Sequence, residues 1–173
     1  DRPKIARVIY NRIARGMPLA IDASVLYGTQ AAGADPAAIP FDQQRDILFY
    51  IGDRLPRRVA GALDARGNGQ YLAEKARQRW GESIQEVMLS ASWYGLHMIP
   101  YIEAFSDKTI LLPRDKDVLE DHQALAYVNG IVKVPENYSA KGSDGYARHG
   151  DTAPAGALAY YASRLDFSEY AYI

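Results

Sequence analysis

Two aspartates stand where a folded chain can gather chemistry. Asp64 closes a short apolar run, Arg58 to Leu63, and is followed by Ala-Arg-Gly-Asn-Gly. Such a run reads as a strand, and open α/β sheets place their ligands at the carboxyl ends of strands. The glycines let the backbone turn sharply into a following helix. A carboxylate at that point could bind a metal, act as a base or cap the helix. Gly67-Asn68-Gly69 looks like a phosphate loop, but no Lys-Ser/Thr pair follows as a Walker motif requires, which argues against nucleotide binding. The second aspartate ends Arg148-His149-Gly150-Asp151, before an Ala-rich stretch that reads as a helix. Asp is a favoured N-cap, which accounts for Asp151 but not for the Arg and His before it. Cationic donors next to a carboxylate suit a site that handles phosphate, because they steady a scissile diester and its leaving group.

Other chemistries find less support. His97, His122 and His149 show neither His-x-His nor His-Glu-x-x-His spacing, so a histidine-rich zinc site is not expected. His97 and His122 read as surface or partly buried helix residues. Ser24, Ser83, Ser90 and Ser92 sit in nothing like a nucleophile elbow. The chain has no cysteine, which excludes disulfides and thiolate metal sites. Basic residues gather at Arg54, Arg57 and Arg58, and again at Lys75, Arg77 and Arg79. They read as the solvated faces of two helices, and as a DNA-backbone track if they flank the carboxylates. The 13 tyrosines are scattered, so no base-stacking platform is evident.

The elements that must position these residues emerge from periodicity. Phe41, Gln44, Leu48, Ile51 and Leu55 mark a helix over about 41–55, and Leu72, Ala76 and Trp80 mark another. Ile84 to Leu89 alternates as a strand, Trp93 to Phe105 is helical, and Thr109 to Leu112 reads as a further short strand. A helix is expected over Asp117 to Tyr127, and a closing one over Thr152 to Arg164. Asn129-Gly130 between Tyr127-Val128 and Ile131-Val132 is a two-residue hairpin signal. Strands alternating with helices predict an α/β domain with a largely parallel sheet plus a hairpin. Before this regular part, Pro3 to Arg15 reads as a helix and Leu19 to Tyr27 as a strand. Thr29 to Pro40, rich in Ala, Gly and Pro, is the natural boundary. The expected organisation is therefore an N-terminal piece over 1–38 and the main domain over 39–173.

Composition adds bounds rather than activity. A chain of 173 residues supports one sizeable core. Its formal net charge of −1 means that any nucleic acid must meet a local basic patch rather than a bulk field. No apolar run approaches the roughly 20 residues that span a bilayer, and no signal peptide is visible at the start. No membrane association and a cytoplasmic location are the expectations.

From residue 39 onward the chain resembles the C-terminal nuclease domain of phage large terminases, in the group related to the Mu-like packaging protein. The resembling stretches are Ile39 to Ile51, Gly61 to Glu74, Ser92-Trp93-Tyr94, Thr109 to Asp115, and Arg148 to Asp151 with its Ala-rich helix, in the family's order and spacing. The resemblance implies an RNase H-like fold, a mixed sheet flanked by helices. It implies endonucleolytic cutting of concatemeric double-stranded DNA during genome packaging. Acidic residues on the first strand, at the end of a later strand and at the start of the last helix would hold two Mg²⁺ or Mn²⁺ ions. By position Asp64 matches the second and Asp151 the third. Two such cations about 3.5–4 Å apart activate a water and stabilise the leaving oxygen in line. Arg66, Arg148 and His149 would then contact DNA, with Arg54, Arg57 and Arg58 as the flanking track. The terminase ATPase domain and the portal are the implied partners.

The beginning departs from that family. Lys4 to Gly28 resembles a segment of the endolytic murein transglycosylases, without that family's catalytic glutamate or its Leu-Pro-Pro-Gly-Pro stretch. Asp22, in Leu-Ala-Ile-Asp-Ala-Ser-Val-Leu-Tyr, is either the first-strand metal ligand or a part of this foreign piece. Two alternatives to the nuclease arise. One is an RNase H-like DNA-binding or packaging domain with an incomplete site; the other is a peptidoglycan-directed module.

Overall fold

The computed structural model describes residues 40–55, 60–67, 69–143, 145 and 147–165. The expected N-terminal helix and strand lie outside the described residues, as do Asp22, Arg57 and Arg58. The elements run α1 (Phe41–Gly52), β1 (Gly61–Asp64), α2 (Gly69–Trp80), a 3-10 turn (Gly81–Ser83), β2 (Ile84–Val87) and α3 (Ala91–Ser106). Next in the chain are α4 (Lys116–Gln123), β3 (Ala126–Val128), β4 (Ile131–Lys133), β5 (Ala140–Lys141), β6 (Ala147–Arg148) and α5 (Thr152–Ser163). The fold is α/β, as the alternation of strand and helix signals predicts.

β1 and β2 are parallel, with Gly61 opposite Ile84 and Asp64 opposite Val87. Parallel neighbours need a crossover, and α2 supplies it, packing on both strands. Strand alternation then builds a core on each face of the pair. Leu63, Ala65 and Ile84 join Leu48 of α1 and Leu72, Ala73 and Ala76 of α2. Ala62 and Val87 turn the other way, toward Trp93, Met98 and Tyr101 of α3, Val132 of β4, and Ala157 and Leu158 of α5. The small residues of α5 let it lie close against β1, α3 and α4.

The remaining strands are antiparallel pairs. In the β3–β4 hairpin Asn129 and Gly130 have φ of 52° and 82°, the left-handed pair that a type I′ turn requires. Among the described residues the parallel part of the sheet is two strands, less than the largely parallel sheet expected. Two element expectations also change. Thr109 to Leu112 forms no strand. Its first residue terminates α3, donating N–H and Oγ1 to the Ala104 carbonyl at 3.0 and 3.3 Å. Ile110 packs partly buried against the core while Leu111 is 81 % exposed, and among the described residues no strand pairs with the run. The helix expected to reach Tyr127 stops at Gln123, because Ala126 to Val128 is taken by the hairpin.

Candidate active site

Asp64 lies two residues after Ala62 on β1 and so shares its face, the side that carries α3 and α5. Beyond it the chain makes a tight turn. Ala65 N–H continues the strand pairing to the Val87 carbonyl at 2.8 Å, and Gly69 N–H closes on the Arg66 carbonyl at 2.9 Å. A Cβ on Gly69 would collide with the Asp64 carbonyl oxygen, so glycine is what lets α2 start directly beneath the aspartate. The turn folds Arg66 back on Asp64. Its backbone N–H donates to Oδ1 at 3.1 Å, Nε donates to Oδ1 at 3.2 Å, and Nη2 donates to Oδ2 at 3.4 Å. The Asp64 and Arg66 side chains are 22 % and 48 % exposed.

Asp151 stands at the start of α5, the helix that packs on β1, and is itself exposed. Its backbone is already helical, with φ −64° and ψ −23°, and its side chain makes no cap hydrogen bond. The simple N-cap reading therefore does not describe it. The cap comes instead from Asp121 of α4, whose Oδ2 accepts Thr152 Oγ1 at 2.7 Å and Thr152 N–H at 3.3 Å. Asp121 also binds Arg148 as a fork, Nη2 at 2.6 Å and Nε at 3.3 Å. The Arg148 and Asp121 side chains are 9 % and 1 % exposed, so this ion pair is internal. His149 is exposed, and its charge acts on Asp151. Asp151 is exposed, but partial desolvation by the surrounding protein raises its carboxyl pKa above the ordinary value, and the charge of Asp121 adds to that, while His149 and Arg148 pull the other way.

Tyr94 stands within electrostatic range of both aspartates. It sits in the first turn of α3, where Ser90 caps the helix by accepting Trp93 N–H at 3.2 Å. Its ring packs edge-on against Trp93 at 5.7 Å. Burial raises the pKa of its hydroxyl; the charges of Asp64 and Asp151 raise it further, and Arg66 pulls it down by charge and hydrogen bonding. Nothing in its residue type marks Tyr94 for this place, and no role was expected of it. Asp121 was equally unmarked, one acid among several on the polar face of α4.

The remaining residues singled out lie elsewhere. Arg54 is exposed at the end of α1, stacked 3.6 Å over the Tyr50 ring. That end abuts the C-terminal end of α2, where Arg79 pairs with Asp53 and Arg77 with Glu82. The 12 residues of α2 span about 18 Å, so this basic group stands a helix length from Asp64. His97 is partly buried against Trp93 and Tyr161 at 4.8 Å each. His122 is partly buried, with Nδ1 donating to the Val118 carbonyl and Nε2 accepting from Tyr101 Oη, both at 2.7 Å.

Carboxylate oxygens are the donor type that a hard divalent cation takes. Magnesium takes oxygen ligands and is commonly held by one or two carboxylates plus water and substrate phosphate. Asp64 at the end of β1 and Asp151 at the start of α5, the helix that packs on β1, are the two carboxylates to test for such a role. Among the described residues no group of three or more acidic, His or Cys side chains forms a metal cluster.

The sequence has relatives. The chain is 37% identical over 135 residues to the Mu-like prophage FluMu protein gp28 of Haemophilus influenzae, an alignment covering 78% of this chain and 26% of that protein. It is 36% identical over 129 residues to the probable terminase large subunit gp28 of Escherichia phage Mu, covering 74% of this chain and 23% of that one. Both are homologues, and the chain spans about a quarter of their length. No family model and no solved structure matches it. Among the described residues no helix is long and apolar enough to cross a membrane.

Proposed function

We propose that this chain carries the nuclease site of a terminase large subunit and cuts double-stranded DNA during genome packaging. The observation that carries the reading is placement: Asp64 closes the parallel strand β1, and α5, which opens right after Asp151, packs on that strand. Two carboxylates far apart in sequence have no structural need to stand on packed elements, whereas phosphodiester hydrolysis needs such a pair. The homology to the phage Mu protein named as a probable terminase large subunit supports the same reading. So does an acid at the end of a parallel strand beside an acid at the start of the last helix, the arrangement of an RNase H-like site.

On this reading Asp64 and Asp151 hold Mg²⁺ or Mn²⁺, and Asp22 is the third ligand of a two-metal site. The cations, when bound, polarise the phosphate and lower the pKa of the attacking water. The chain's own residues do the rest. Asp64 and Asp151 fix where the scissile phosphate sits, while Arg66 and His149 offer positive charge to it. The buried Arg148–Asp121 pair holds the start of α5 so that Asp151 stays in place. The partners are concatemeric DNA, the ATPase domain of the same machine and the portal.

The test is cleavage of supercoiled plasmid in Mn²⁺ or Mg²⁺. Loss of cutting in Asp64→Ala and Asp151→Ala is expected, and full activity in either would overturn the assignment. A second reading, an RNase H-like DNA-binding domain with an incomplete site, draws on the lack of a third ligand among the described residues. It expects salt-sensitive DNA binding without cutting. Asp22→Ala separates the two: it abolishes cleavage if Asp22 is a ligand.

A further inference from the structure

Two Arg–Asp forks beside the candidate site differ in character. Arg148–Asp121 is short and buried, at 2.6 Å with side chains 9 % and 1 % exposed. Arg66–Asp64 is long, at 3.2 and 3.4 Å, and half of Arg66 faces solvent. Pairs of the first kind are costly to break because a charge is left buried. Pairs of the second kind contribute little, because solvent screens them. The weak fork is the one on the candidate metal ligand.

The turn explains how the weak fork persists. Arg66 is two residues beyond Asp64, and its own N–H is held on Oδ1, so its guanidinium cannot stray far from the carboxylate. It covers both carboxylate oxygens, Nε on one and Nη2 on the other. Any cation that takes Asp64 as a ligand competes with the guanidinium for the same oxygens. A displaced Arg66 stays tethered at the mouth of the site, its charge then free for an anion.

We propose that Arg66 is a resident counter-ion of Asp64, exchanged for a divalent cation when the site loads and thereby released toward the DNA phosphate. The inference rests on the nuclease reading, since it presumes that Asp64 is a metal ligand. Loading of metal and arming of a phosphate contact become one event. Without metal the site is neutralised internally and presents less free positive charge to DNA.

The test is Mn²⁺ binding by titration calorimetry on the full chain, in wild type, Arg66→Gln and Asp64→Asn. Removing the competitor should tighten binding about two- to fivefold, the equivalent of an exposed ion pair. In wild type, Mg²⁺ should shift the Arg66 Nε–H NMR signal as its carboxylate partner is lost. Equal or weaker binding in Arg66→Gln, with Asp64→Asn abolishing it, would overturn the exchange while leaving the metal site standing. Binding in neither wild type nor Arg66→Gln would overturn both. Binding that emerges only in Arg66→Gln supports the exchange in its strongest form. Arg66 is exposed and outside both cores, so a thermal melt should find the variant folded.

Discussion

Thr152 is capped by an aspartate from another helix: its hydroxyl donates to Asp121 Oδ2 at 2.7 Å and its N–H to the same oxygen at 3.3 Å. Because Asp121 does the capping, Asp151 need not, and its carboxylate is left for other use. Asp121 also neutralises the buried Arg148. Asp121→Ala should therefore destabilise by about 3–5 kcal/mol, the range for removing one partner of a buried pair. Asp121→Asn keeps the acceptor for Thr152 but not the charge, and should fall between. Urea unfolding checks both. A loss under about 1 kcal/mol for the alanine variant would mean that Arg148 finds another partner.

Gly67 and Gly69 flank the same turn but are glycine for different reasons. Gly67 has φ of 51° and open space where a side chain would stand, whereas at Gly69 a Cβ meets the Asp64 carbonyl oxygen. Gly67→Ala should cost about 1–2 kcal/mol of stability through backbone strain alone. Gly69→Ala must move Asp64 or the start of α2, and a shift of about 1 Å at a catalytic group can cost on the order of a hundredfold in rate. Cleavage assays beside thermal melts separate the two, and activity lost equally in both variants would contradict this division.

Tyr94→Phe removes one hydroxyl and leaves the ring contact with Trp93. The Tyr94 hydroxyl interacts with Arg66 by hydrogen bonding and so can help hold the arginine over Asp64. Losing one hydrogen bond of about 0.5–1.5 kcal/mol should slow cleavage by up to about tenfold with little change in melting temperature. An unchanged rate would make Tyr94 a packing residue only.

What could be read from residues alone came from punctuation and period. Asn129-Gly130 announced its hairpin because few other pairs accept two left-handed residues in succession. The parallel pair β1–β2 was legible because two short apolar runs bracket a helical stretch of the right length. Asp64 and Asp151 stood out because glycines mark sharp turns beside them. Thr109 to Leu112 misled because local β-propensity cannot show that no neighbour pairs with it. Tyr94 and Asp121 were invisible for a deeper reason. Their roles come from α3 and α4 packing against one another's neighbours, and no short spacing encodes that. Arg148 shows the converse: a residue type suited to phosphate is drawn into an internal fork by an acid 27 positions away.

Asp151 should lower stability slightly in the protein as it stands. Its carboxyl pKa is raised by partial desolvation, and because the residue is exposed solvent screens much of the effect, so the folded state holds the charge only somewhat less readily than the unfolded chain does. The sign comes from linkage: the penalty is full at neutral pH and is relieved as pH falls through the raised value toward the unfolded 3.8. Asp151→Asn should then melt higher than wild type at pH 7 while losing activity, the trade seen when a functional group is removed. A lower melting temperature would mean that the carboxylate stabilises α5.

His122 should give the opposite slope at milder acidity. Burial lowers its pKa, although the Val118 carbonyl and Asp121 favour its charged form. Its Nε2 accepts the Tyr101 hydroxyl, which requires that nitrogen to be unprotonated. Above about pH 6.5 both folded and unfolded states hold it neutral, and its contribution is complete. As pH falls below about 6.5 the unfolded chain takes a proton that the folded protein refuses, so stability declines until the lowered folded pKa is passed. The slope from this one group is at most about 1.4 kcal/mol per pH unit. His97, also lowered by burial, contributes in the same direction. Urea unfolding from mildly alkaline to mildly acidic pH should therefore show falling stability in wild type and a shallower fall in His122→Gln, whose amide oxygen can accept from Tyr101. An unchanged slope in that variant would place the pH dependence on other groups.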